Sequence, residues 1–230
     1  MKYLSRNKVY EKLHVQKDAK KVYIFCEGED TEIKYFRYFQ GFSSNIDIIP
    51  IPNSDGQSDP QKLKENAELL FFGNATTLPK YCLIDEYKDE VWFVIDTDRW
   101  NTGNKIQILK DFCKSKNKQT NQWFTVQSNP CFELWLYYHF KEVKPNEEDV
   151  NRFSSFKEFV NNQIKGGFDK RSMPVELESA IRNSLKNFET ENEQPKLYST
   201  EVHHLGQVII PFVKHQLDIA KEMWRNPKEI

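Results

Sequence analysis

The sequence predicts an α/β fold: a doubly wound sheet of about four mainly parallel strands with flanking helices, followed by a C-terminal helical extension. Residues 22–26 and 91–95 are runs rich in β-branched and aromatic residues, too continuously apolar for half-exposed strands and typical of buried parallel strands. Segments of helical periodicity alternate with such runs up to about residue 126. After Pro130 the pattern is helical only, which is why we expect an extension there.

The predicted elements of the α/β unit alternate regularly along the chain. A strand at about 20–26 is followed by a helix at about 30–42, in which Ile33, Phe36 and Phe39 recur at helical spacing. The second helix begins at Pro60, well placed at a first helical position, and ends near Phe72. The other predicted elements are strands at about 46–51, 90–95 and 123–126 and a helix at about 104–116. Right-handed crossovers would join these units into one sheet.

The remainder of the chain is predicted to be helical. The predicted helices span about 131–140, 154–164, 173–190 and 200–224, the last with an expected kink at Pro211. We therefore divide the chain into a basic N-terminal arm (1–19), the α/β domain (20–140) and a helical extension packed on it (141–230).

Length and composition indicate which classes of protein can be set aside. A chain of 230 residues with 14% aromatic residues can bury a core and is not expected to be disordered. The four cysteines lack zinc-site spacing or the pattern of a disulfide framework. We find neither a secretory signal pattern nor an apolar run of the roughly 20 residues that a membrane helix needs. We therefore expect a cytoplasmic protein without a membrane role.

The net charge of −1 neither indicates nor excludes nucleic-acid binding, because a basic face and an acidic pocket cancel in the sum. Lysines and one arginine are concentrated in the N-terminal arm, and a second basic cluster includes Lys105, Lys110 and Lys114. These three lysines are candidate phosphate-binding residues. A solvated helix face is the alternative for each cluster.

Carboxylates follow the first and third strands where each strand ends. Glu27 follows the first, and Asp96 and Asp98 follow the third. Ligands of open α/β sheets bind beyond the carboxyl ends of the strands, and Asp96 and Asp98 leave the same face of an extended chain. Glu32 falls in the first turn of the next helix. Because such charges repel one another without a cation, the pattern predicts a Mg²⁺ or Mn²⁺ site. Ordinary turn or capping acids are the alternative for Asp98 and Glu32 taken singly.

A third polar group follows the fourth strand. Ser128 and Asn129 lie at the same predicted edge and are candidates for phosphate contact. Glu133 begins an otherwise apolar helix, so it must be bound to a metal or paired with Arg or Lys. His139 is expected to be a hydrogen-bonded core histidine.

Three blocks of the chain resemble the RloB-like family, Toprim-related proteins associated with bacterial defence against phage. The blocks are residues 26–32, 91–99 and 128–140, with a weaker match at 198–205. Glu27-Gly28 after the first strand and Asp96-Thr97-Asp98 after the third is also the layout of the Toprim domain of topoisomerases, bacterial primases and overcoming-lysogenization-defect nucleases. The resemblance covers about 20–210 and implies a Toprim-like sheet.

The resemblance implies a Mg²⁺- or Mn²⁺-dependent nuclease. Asp96 and Asp98 would hold one metal, Glu27 would share it or act as general base, and Glu32 and Glu133 would complete a second metal position. Arg99 would steady the charged transition state, or else form a surface salt bridge. Nucleic acid is the expected partner, with an ATPase or a restriction–modification protein as a further one.

Two other classes of protein were weighed against a nuclease. A non-catalytic module would bind nucleic acid, a nucleotide or a partner protein through the same metal pocket, with the helices after residue 140 serving as a dimer or partner surface. A haloacid-dehalogenase-type phosphatase also ends a strand in Asp-x-Asp. It carries its nucleophilic Asp on the first strand, however, where this chain has Glu27-Gly28.

Overall fold

The computed structural model describes residues 12–53, 59–97, 104–117 and 122–225. Of residues 224 and 225 it describes the backbone only. Within these ranges the main sheet has five strands in the order β2-β1-β3-β4-β7, and a two-stranded hairpin is formed by β5 and β6. The strands are β1 (Lys20–Cys26), β2 (Ile46–Ile51), β3 (Glu90–Asp96), β4 (Trp123–Asn129), β5 (Thr190–Glu191), β6 (Gln194–Pro195) and β7 (Ser199–Thr200). The first four strands in this order are parallel and β7 is antiparallel to β4, which confirms the predicted α/β class.

The helices follow the predicted order with shifted ends, apart from a short helix at Glu147–Val150 that was not predicted. They are α1 (Thr31–Arg37), α2 (Pro60–Phe72), α3 (Lys105–Lys116), α4 (Glu133–Tyr138), α5 (Glu147–Val150), α6 (Phe156–Gln163), α7 (Leu177–Lys186) and α8 (Val202–Arg225), with 3₁₀ turns at Asp85–Tyr87 and Met173–Glu176. Pro211 lies inside α8, which continues past it. None of the described helices has the length and apolar character needed to span a bilayer.

Several predicted helices are shorter in the structure, and two of them are much shorter. The helix expected to reach residue 42 ends at Arg37, and Gly41 then turns back with φ of 78°. The helix expected from residue 173 opens as a 3₁₀ turn and becomes regular only at Leu177. By contrast, α2 has the predicted bounds, because Asp59 accepts a hydrogen bond from the Gln61 backbone N–H at 2.8 Å and Gly73 ends the helix with φ of 69°.

Two hydrophobic clusters lie on opposite faces of the sheet, because successive strand side chains alternate between its faces. Val22 and Ile24 of β1 pack with α1, α4, α7 and α8. Tyr23 and Phe25 pack with α2 and α3. The helices after Pro130 therefore cover the face that also carries α1, whereas α3 covers the other face.

His139 is a buried core histidine, as expected. Its Nε2 lies 3.1 Å from the Tyr35 hydroxyl and its Nδ1 lies 2.9 Å from the Trp135 carbonyl oxygen. Burial lowers its pKa from 6.5 to about 3, so the ring stays neutral in the folded protein.

This depressed pKa predicts a loss of stability in acid. The unfolded chain protonates His139 near pH 6.5 and the folded chain does not, so the free energy of unfolding should fall as pH drops below 6.5, by about 2 kcal/mol at pH 5. Urea unfolding at pH 7.5 and pH 5 would show a smaller loss for His139→Gln than for the native protein. The exposed His215→Gln serves as control, and equal losses in all three proteins would refute the assignment.

Candidate metal centre

Glu27 and Asp96 meet at the carboxyl ends of the paired strands β1 and β3. The Glu27 backbone N–H donates to the Val94 carbonyl oxygen at 3.2 Å, which continues the ladder past Cys26. Glu27 is 6% exposed, and its carboxylate accepts a hydrogen bond from the Asp96 backbone N–H at 2.9 Å. Glu27 is thus fixed across both strand ends, and it holds the backbone that carries Asp96.

The Asp96 side chain is oriented by the segment that leads into α4. Its Oδ1 accepts a hydrogen bond at 2.8 Å from the backbone N–H of Phe132, the residue just before α4. The next residue, Thr97, donates its N–H to the carbonyl oxygens of Ser128 and Pro130 at 2.9 and 3.1 Å. These bonds tie the end of β3 to residues 128–132 and so place the start of α4 beside Asp96.

Asp96, Cys131 and Glu133 form a compact group of metal-ligating side chains. One ligand atom from each lies within 4.8 Å of the other two. Glu133 Oε1 is 3.4 Å from the Lys157 ammonium, whereas its Oε2 is buried and has no hydrogen-bond partner in the described part of the protein. A buried carboxylate oxygen without a partner is costly, and a cation would satisfy it.

Glu32 completes the acidic group from the first turn of α1. Its side chain is 6% exposed, and burial raises the pKa of its carboxyl, with a smaller contribution from the charge of Glu133. The carboxylate lies against Gly28, where a Cβ atom would come within 2.2 Å of Glu32 Oε2. Gly28 is outside the left-handed region, so it is this close approach that requires glycine.

Lys157 forms an ion pair with Glu133 at this centre and was not predicted from the sequence. It lies on α6, and its side chain is 61% exposed. Burial alone would lower the pKa of its ammonium, but the negative charges of Glu133 and Asp96 raise it by more. No local pattern distinguishes this lysine from others on helix surfaces.

Cys131 was also missed, because a lone cysteine outside a CxxC pair gives no metal-site pattern. Burial raises the pKa of its thiol, and the charges of Glu133 and Asp96 raise it further. The thiol is therefore protonated in this arrangement, and carboxylates are the charged donors of the centre.

Most of the candidate phosphate-binding residues form hydrogen bonds or ion pairs with other residues of the protein. The hydroxyl of Ser128, which is 0% exposed, lies 2.8 Å from Thr200 Oγ1, and Asn129 donates its side-chain amide to the Pro195 carbonyl oxygen at 2.9 Å. Lys105 pairs with Asp59, and the Lys110 ammonium is 3.3 Å from the Glu193 carbonyl oxygen. Lys114 is exposed on α3, on the face of the sheet opposite α1 and α4. Phosphate contact by these residues stays a prediction.

Asp98 and Arg99, both predicted site residues, lie outside the described residues. Of the other predicted acids, the structure brings Asp96, Glu133, Glu32 and Glu27 to one edge of the sheet. Asp96 and Glu133 belong to the three-residue group, and Glu27 reaches the group through the Asp96 backbone. Glu32 is outside the three-residue group, but the charge of Glu133 helps to raise the pKa of its carboxyl.

Sheet order and acidic edge together define an α/β protein with a cluster of carboxylates at the carboxyl ends of its central parallel strands, consistent with a Toprim-like fold. The family described as RloB-like protein matches residues 22–209, and the chain therefore belongs to the RloB-like family. Neither the curated proteins nor the solved structures include a match to this chain.

Proposed function

We propose that this protein is a Mg²⁺- or Mn²⁺-dependent nuclease that hydrolyses phosphodiester bonds of nucleic acid, in the setting of bacterial defence against phage that its family resemblance implies. The observation that carries the proposal is the partnerless buried oxygen of Glu133 beside the Asp96 carboxylate. Four acids gathered at one strand edge point to the same chemistry.

The donor set fits a hard divalent cation. Two oxygens that bind one such ion at 2.0–2.1 Å are at most about 4.2 Å apart, and the ligand atoms of Asp96 and Glu133 are already within 4.8 Å of each other. Carboxylate oxygens favour Mg²⁺ and Mn²⁺, whereas a protonated thiol is a poor donor. Asp96 and Glu133 would therefore hold the ion, and Glu32 is proposed as a further ligand. Such an ion, when bound, neutralises phosphate charge and orients the attacking water.

The chain itself contributes orientation and positive charge. Glu27 fixes the strand end that carries Asp96 through the bond from the Asp96 N–H, so we assign it a positioning role beside its proposed role as general base. Lys157 pairs with Glu133 from an exposed position, and its ammonium can also contact a substrate phosphate at this edge.

One observation favours the alternative of a non-catalytic binding module. The Lys157 ammonium already offsets part of the negative charge of the cluster, as it would in a site that performs no hydrolysis. A nuclease would cleave the bound nucleic acid, whereas the module would only bind it. Both would bind a divalent metal and nucleic acid, and both are compatible with an ATPase or a restriction–modification protein as a further partner.

The test is metal-dependent cleavage. Labelled single- and double-stranded DNA and RNA are incubated with the native protein in Mn²⁺, Mg²⁺ or EDTA, and the products are resolved by electrophoresis. We expect cleavage with either ion and none in EDTA, and none above background from an identically purified Asp96→Asn variant. Binding without cleavage in any condition would support the module, and cleavage that persists in EDTA would overturn the proposal.

A further inference from the structure

A basic cleft of about 650 Å³ lies beside α1, on the same face of the sheet as the metal centre. Five cationic side chains line it, contributed by three separate segments: Lys12, Lys34, Arg37, Lys170 and Arg171. This surface was not predicted from the sequence. Its members are too far apart along the chain to form a charge run.

The cleft keeps a positive surplus after its ion pairs are counted. Asp169, the one carboxylate in the described lining, pairs with Arg171 at 2.9 Å. Asp30 pairs from outside the lining with Lys34 and, at 3.2 Å, with Lys170. Among the described residues, five cations against these two acids leave three positive charges. Neither Lys12 nor Arg37 has a carboxylate within salt-bridge distance among the described residues, so both are available to an anion.

The walls of the cleft are held by packing. The Leu13 backbone N–H donates to the Gly41 carbonyl oxygen at 2.9 Å, which fixes the segment that carries Lys12. Phe168, in the lining, packs edge-on against the buried His139 ring at 5.0 Å between centroids. Tyr38, also in the lining, is partly buried against Phe42. Aromatic side chains within a basic groove are a common platform for nucleic-acid bases and sugars.

The same short helix connects the cleft to the metal centre. Glu32 of α1 faces the acidic group, while Lys34 and Arg37 line the cleft. Five residues of helix rise about 7.5 Å, so a backbone bound beside Lys34 and Arg37 would lie within about two helical turns of Glu32.

We propose that this cleft binds the sugar–phosphate backbone of nucleic acid and directs it to the metal centre. The inference rests on the proposed function, because it identifies the substrate-binding surface of that same site. It assigns the main backbone contact to this cleft rather than to the lysines of α3, which lie on the opposite face of the sheet.

The experiment measures binding without cleavage. Fluorescence anisotropy of labelled DNA, single-stranded (about 20 nucleotides) and double-stranded (about 20 base pairs), is recorded in EDTA over a series of salt concentrations. The native protein is compared with the double variant Lys12→Glu with Arg37→Glu. The matched control is Arg182→Glu with Lys186→Glu, two exposed cations on α7 with the same change of charge. A third protein carries Lys114→Glu.

We expect the cleft variant to lose about tenfold or more in affinity and to show a salt dependence shallower by about one unit per lost phosphate contact. The α7 control should bind like the native protein. Equal losses in the cleft and control variants, or a loss confined to Lys114→Glu, would overturn the proposal. Because no metal is present, failure of the nuclease proposal would appear separately, as metal-independent or absent cleavage with binding to the cleft retained.

Discussion

Replacing Asp96 by Asn should lower the metal-dependent cleavage rate about 10³-fold while the protein stays folded. Asparagine keeps an oxygen that can accept the hydrogen bond from the Phe132 N–H, so the start of α4 should hold its place. It removes the negative charge that, with Glu133, would hold the cation. Initial rates in Mn²⁺ measure the effect, and calorimetry should show Mn²⁺ affinity reduced at least 100-fold.

The matched control for this variant is Asp111→Asn. Asp111 is an exposed acid on α3, where it accepts a hydrogen bond from Gln107, and it lies on the other face of the sheet. The same change of charge there should leave cleavage and Mn²⁺ affinity at native values. Native activity in Asp96→Asn, or an equal loss of activity in both variants, would show that Asp96 is not a metal ligand.

Substituting Gly28 by Ala should reduce cleavage about 100-fold through Glu32. The new Cβ would lie 2.2 Å from Glu32 Oε2 and 2.7 Å from its Cδ, so the carboxylate must leave its position. The backbone of Gly28 does not require glycine, and the free energy of unfolding should change by less than about 1 kcal/mol. Activity assays and urea unfolding of the same preparations separate the two effects.

A double-mutant cycle isolates the role of Glu32 in this effect. If Gly28→Ala acts by displacing the Glu32 carboxylate, it should add little to the loss already caused by Glu32→Ala. Additive losses would show that Gly28 matters for another reason. A large drop in unfolding free energy would show that the backbone, rather than the carboxylate, is disturbed.

Local features explain which parts of the fold the sequence predicts. β1, β2 and α2 have the expected bounds, because continuous apolar runs, Pro60 and Gly73 mark them within a few residues. β7 was not expected, since its two residues form a strand only by pairing with β4, and Ser128 opposes Thr200 across about 70 positions of sequence.

The same distinction applies to the site. The acids Glu27, Glu32 and Asp96 were predicted to meet, because the carboxyl ends of neighbouring parallel strands share an edge. Lys157 reaches Glu133 only through the packing of α6 on α4, and no short motif records that packing. The basic cleft combines residues more than 100 positions apart, whereas the α3 lysines were noticed because they are close in sequence.

Anomalous diffraction from crystals of the protein grown with Mn²⁺ tests the central claim most directly. We predict a manganese peak bonded to carboxylate oxygens of Asp96 and Glu133 at about 2.1–2.2 Å, with the Lys157 ammonium displaced from Glu133. A map with no peak at this edge of the sheet, and with Lys157 still paired to Glu133 at saturating Mn²⁺, would contradict the account.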